Sequence, residues 1–141
     1  MFIFAALLAA SICGCSDGPT GPATVPVSGT VTLGGQPLDG ATVTFQPVTG
    51  SSPDAKPAQT VTDEAGKFAA SLTLLDGSSK PGLVPAEYSV TVAKMELGPL
   101  TSTTTPPKSL VPAKYNNAKT SDLTATVSAD QANDLVFALT N

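Results

Sequence analysis

The chain has 141 residues, of which 13% are charged, about half the share of an average soluble protein. Seven lysines and eleven acidic residues, with no arginine and no histidine, leave a formal charge of −4 and no basic cluster. Nucleic-acid binding is therefore not expected, because nothing would neutralise a run of phosphates. Nucleophilic catalysis through Ser–His or Cys–His pairs is excluded by the missing imidazole.

The first element is "MFIFAALLAASI", an unbroken apolar run over residues 1–12. As a helix, residues 1–14 would reach roughly 21 Å, against a hydrocarbon core of about 30 Å. That is too short to span a bilayer comfortably but suits the apolar region of an export signal. The run ends in "ASICGCSDG", which holds both cysteines of the chain. No histidine or third cysteine is available to complete a metal site, and the Cys-x-Cys spacing is not that of a Cys-x-x-Cys redox pair. Ile12-Cys13-Gly14-Cys15 instead resembles a bacterial lipobox, with Cys13 in the small-residue slot. The resemblance implies cleavage after Gly14 and lipidation of Cys15. Cys13 as acceptor would place Ile12 where a small residue is wanted. One departure is the absence of an n-region Lys or Arg, since Phe2 follows Met1 directly.

"SDGPTGPA", residues 16–23, has no apolar period and is expected to be a flexible tether. Strand alternation then begins. Val25, Val27, Val31 and Leu33 share one face, and after a turn over residues 34–40 Ala41, Val43 and Phe45 share the next. Prolines in the polar segment 47–59 argue against a central strand there. "TVTDEAGKFAASLTL" reads as a hairpin turning at residues 63–66, with Phe68, Ala70, Leu72 and Leu74 inward. Ala86, Tyr88, Val90 and Val92 form a further apolar face. Residues 95–121 have no periodicity, and the chain closes with Leu123, Ala125 and Val127, then Leu135, Phe137 and Leu139. About seven short strands and no convincing helix after residue 14 indicate an all-β, two-sheet sandwich.

"VSGTVTLGGQPLDGATVTFQP", "TDEAGKFAAS" and "PAEYSVTVAK" together resemble carboxypeptidase-regulatory-like domains. The tail "VPAKYNNAKTSDLTATVSADQANDLVFAL" is similar to the close of small lipoproteins abundant in planctomycete bacteria. The matched stretches cover nearly all of residues 25–140, and their order is more specific than any one of them. The resemblance implies a single seven-stranded Greek-key sandwich of the transthyretin or prealbumin type, over residues 24–141. It implies little about activity, because a fold does not set a function. Transthyretin-related hydrolases use histidines and an arginine, and this chain has neither. The Lys–Asn crosslink found in related surface domains lacks its usual donor, since no lysine falls in residues 25–46.

The aromatic residues Phe45, Phe68, Tyr88 and Phe137 fall on inward registers and are expected in the core. Gly29, Gly40 and Gly66 are expected at a bulge or at positive φ. Asp63 and Glu64 suit a solvated turn better than an acid–base pair, and no calcium-loop pattern surrounds them. Only Tyr115, in "VPAKYNNAKTS", lies in a loop. With Lys114 and Asn116 it is the candidate ligand or partner contact, but the favoured expectation is that its ring packs on the sandwich edge and its hydroxyl pins the loop. The reading that follows is a non-enzymatic lipoprotein of the cell envelope, exported and anchored to a bacterial membrane through Cys15. It needs no cofactor or metal, is expected to be monomeric, and serves a structural or protein-interaction role. A module binding an envelope glycan or other ligand is the alternative.

Overall fold

A computed structural model of the chain describes residues 21–96, 106–131 and 133–141. The leader, Cys15 and the tether as far as residue 20 lie outside the described residues, as do 101–105 of "TSTTTPP". The described chain is all-β. Its strands are β1 (Val27–Leu33), β2 (Gln36–Pro37), β3 (Thr42–Pro47), β4 (Ala58–Val61), β5 (Lys67–Ala69) and β6 (Ser71–Thr73). They continue with β7 (Ser79–Pro81), β8 (Glu87–Ala93), β9 (Met95–Glu96), β10 (Lys108–Ser109), β11 (Thr124–Thr126) and β12 (Asn133–Leu139), and a 3-10 helix covers Ala113–Asn116.

Two four-stranded sheets face each other. In the first, β1 is central: β12 runs parallel to it from Val27↔Asn133 to Leu33↔Leu139. On its other side β5 pairs with its first half and β2 with its end. The second sheet has the order β11-β8-β3-β4, antiparallel throughout. Two short ribbons, β6-β7 and β9-β10, form separate two-stranded sheets, β6 packing against β4 with Leu72 in the core. The alternation read from the sequence explains the packing, because side chains two apart share a face. Ala41, Val43 and Phe45 are buried, as are Tyr88, Val90 and Val92, each with 0% exposure.

The four inward aromatics form one connected row across the sheets. Phe45 lies 6.1 Å from Tyr88 edge-on and 5.9 Å from Phe68, which stacks on Phe137 at 6.0 Å. These separations are in the range where ring quadrupoles attract. The Tyr88 hydroxyl donates to the Val84 carbonyl at 2.8 Å, so its burial leaves no polar group unmet. That burial also raises its pKa above the ordinary tyrosine value.

Four expectations need correction. The seven expected strands are twelve among the described residues, because turns and loops contribute two- and three-residue pieces. The expected hairpin over residues 60–74 is not one. The turn forms, with Asp63 and Lys67 bonded through backbone and Gly66 N donating to Asp63 O at 2.9 Å. Its arms, however, join different sheets: β4 pairs with β3, and β5 with β1. The aperiodic span 95–121, expected as a loop, holds β9, β10 and the 3-10 helix among its described residues. Gly40 and Gly66 do adopt positive φ, at 60° and 72°, but Gly29 does not. It sits within β1, where a Cβ would strike the Leu135 carbonyl oxygen and come within 2.5 Å of Phe68 Cζ. Close approach, and not turn geometry, requires glycine there.

Phe68 touches both Phe45 and Phe137, so Phe68→Ala is expected to cost about 3–5 kcal/mol in urea unfolding. A loss below about 1 kcal/mol would contradict its central place in the row.

Candidate functional site

The segment carrying Lys114, Tyr115 and Asn116 is the 3-10 helix that begins after Pro112. Proline holds φ at −52° there, and the Pro112 carbonyl accepts from Tyr115 N at 3.0 Å. Thr120 Oγ1 closes the far side by donating to the Lys114 carbonyl at 2.8 Å. Ser89 Oγ donates to the Ala118 carbonyl at 3.3 Å, and Ser121 Oγ donates to the Val90 carbonyl, tying the segment to β8. The loop is therefore a covering piece of the sandwich, anchored by isolated side chains with no regular period.

These three side chains have different surroundings. Tyr115 is buried, only 3% exposed, and Val111 is buried in the same core. The Tyr115 hydroxyl accepts from Thr140 N at 3.3 Å and lies 3.5 Å from Thr140 Oγ1. Lys114 is exposed, with Nζ 4.5 Å from the Tyr115 ring centre, a cation–π distance. Thr140 first, and Lys114 after it, hold the Tyr115 pKa below the ordinary tyrosine value. Tyr115 in turn raises that of Lys114. Asn116 is half-buried; its Nδ2 donates to Ser109 Oγ at 3.1 Å, while its Oδ1 has no partner among the described residues. The arrangement brings the three together along one short helix but turns the ring of Tyr115 inward, where it offers no face for stacking.

Asp63 is a turn former. Its Oδ1 accepts from Ala65 N and Lys67 N, each at 2.9 Å, while Glu64 is exposed beside it. Asp39 and Lys94 form an ion pair at 2.8 Å on the surface. The hydrogen bond and charge of Lys94 lower the Asp39 pKa.

A second feature was not singled out in the sequence. The end of β6 with the turn after it (Leu72 to Asp76), residues Lys56 and Pro57, and the incoming Gly21-Pro22 line an open groove of about 520 Å³. Its apolar wall is Leu72, Leu74, Leu75 and Pro57. Leu72 is buried and Leu74 packs partly against the core, whereas Leu75 is fully exposed. Lys80 Nζ donates to the Pro22 carbonyl at 3.0 Å, and Thr24 Oγ1 donates to the Pro81 carbonyl at 2.8 Å. The entering chain is thereby fastened to the ribbon. The signal for this groove was the pair Leu74-Leu75 before Asp76-Gly77, where strict alternation breaks and one leucine must face outward.

Comparison with protein-family models, curated proteins and solved structures finds no match to this chain.

Tyr115→Ala is expected to destabilise the domain by about 3–5 kcal/mol, as for other buried aromatics. Tyr115→Phe should cost less than about 1.5 kcal/mol, because the bond to Thr140 is long. Unfolding of both variants checks this, and an unchanged Tyr115→Ala would mean that the ring is not part of the core. Asp39 should titrate below the ordinary carboxylate range by NMR, and Lys94→Ala should return it there. Because the folded pKa is the lower one, the pair's stabilisation is present above the unfolded pKa and is lost as pH falls through the folded one. Both groups reach solvent, so the effect on stability is small.

Proposed function

We propose that the chain is an exported lipoprotein whose residues 1–14 are removed and whose Cys15 carries the lipid. Residues 15–23 link the anchor to a single domain, residues 24–141, with a Greek-key arrangement of the transthyretin or prealbumin type. The domain serves a structural or protein-interaction role in the cell envelope and performs no catalysis. The observation that carries this reading is Ile12-Cys13-Gly14-Cys15 at the end of an apolar run too short to span a bilayer. Two acyl chains on Cys15 would contribute on the order of 0.8 kcal/mol per buried CH₂, ample for stable attachment.

The surface chemistry supports interaction through protein contacts over sugar stacking. All five aromatic rings among the described residues, Phe45, Phe68, Tyr88, Tyr115 and Phe137, are buried. A glycan site built on stacking needs at least one exposed ring, so the alternative has less to stand on than Tyr115 offered in the sequence.

Cys15→Ser is expected to move the protein from the membrane to the soluble fraction with its melting temperature unchanged, while Cys13→Ser leaves it anchored. Fractionation and mass spectrometry of the N-terminus read both. The opposite pattern would transfer the anchor to Cys13, and indifference to both changes would sink the lipoprotein reading.

A further inference from the structure

The groove beside the β6-β7 ribbon has an orientation relative to the chain's entry point. β5 pairs antiparallel with β1, with Ala69 opposite Ser28 and Lys67 opposite Thr30. The chain thus leaves β5 at the starting end of β1 and continues outward through β6 to Leu75. The turn at Gly34-Gly35 and strand β2 lie at the other end of β1, about 20 Å away along seven strand residues. Gly21 and Pro22 form part of the groove itself. From Cys15 to Gly21 is six residue steps, which fully extended span at most about 22 Å. A lipid on Cys15 therefore tethers the domain at this pole, with the Gly34-Gly35 pole at the far end of β1.

The chemistry of the pole suits contact with the bilayer. Leu75 is 108% exposed, the largest value among the exposed large hydrophobic residues. It projects beside Leu74 and Pro57, whereas Val61, Met95 and Val136 lie outside the groove. One lysine and one aspartate, Lys56 and Asp76, line the groove, and the nearby Lys80 ammonium is engaged by the Pro22 carbonyl, so the net charge there is small. The Asp76 carboxylate is also occupied, accepting from Ser78 N at 2.9 Å and Ser78 Oγ at 2.6 Å. An apolar tip with balanced charge partitions into the interface of a bilayer by burial of carbon, with little dependence on salt.

We infer that the Leu74-Leu75 tip and its groove dock on the surface of the bilayer to which the chain is anchored, setting the domain's orientation on the membrane. The inference rests on the lipid anchor at Cys15. Its test uses the full-length lipidated protein in phosphatidylethanolamine–phosphatidylglycerol vesicles, with an environment-sensitive dye at Leu75→Cys or, as control, at Gln36→Cys. Both positions are exposed, so labelling leaves the fold intact. Docking seats the Leu75 dye about 5–10 Å into the headgroup and acyl boundary, where spin-labelled lipids should quench it roughly twofold or more. The Gln36 dye should remain unquenched, and raising the salt should change neither. Vesicle-bound protein whose Leu75 dye is unquenched, or whose two dyes are quenched alike, overturns the docking while leaving the anchor intact. A Leu75 dye already shielded without vesicles would mean that another part of the chain covers the groove, which also overturns it. Protein that carries no lipid and stays off the vesicles removes the anchor reading and this inference together.

Discussion

The contact on which the two sheets depend is the seat of the Phe68 ring over Gly29. Phe68 comes from β5 and reaches across the face of β1, so any side chain at residue 29 would displace it. From that seat the ring touches Phe45 of the opposite sheet and stacks on Phe137 of β12. The same glycine also lies against the Leu135 carbonyl, so it sets how closely β12 can approach β1. Sheet-to-sheet packing and the pairing of the first strand with the last are therefore joined at one backbone position. The four rings of this row supply large apolar areas, each contributing several times what an alanine would.

Most of this core was legible in the sequence, because period-2 alternation states which residues share a face. Val43, Phe45, Tyr88, Val90 and Phe137 needed no more than their spacing. Partnership between strands was less legible. The Asp63–Gly66 turn has the bonds of a hairpin turn, and its local signal is the same whether its arms pair together or separate. What separates them is Thr62. Its hydroxyl donates to the Leu38 carbonyl and accepts from Ala41 N, both buried, holding this arm beside β3. Such a bond links residues more than twenty apart, and no local pattern announces it.

The candidate site shows the same limit from the other side. Residues 106–121 are aperiodic because their packing depends on single anchors, Val111 and Tyr115, between backbone-bonded turns. Spacing could identify Tyr115 as the one aromatic in the loop but could not say which way its ring points. Asn133 is comparable: a polar residue two before Leu135, it is buried and donates to the Ser128 carbonyl while its Oδ1 accepts from Ser128 N. Both residues look like surface chemistry in the sequence and act as closures of the fold.

A chain with 5% aromatic residues and no tryptophan has few rings to distribute. This fold places those of the described residues in its interior. Little aromatic surface is then left for recognition, and the exposed apolar groups that remain are aliphatic. Among them Leu75 differs in kind from Val61 and Val136, which are isolated positions on strands and need no explanation. Leu75 continues an apolar groove whose other wall is the chain arriving from the N-terminus. The Lys80–Pro22 and Thr24–Pro81 bonds fix that arrival, so the direction of the N-terminal segment and the position of the groove cannot vary independently. A pull on the N-terminal segment thus reaches the domain at the groove.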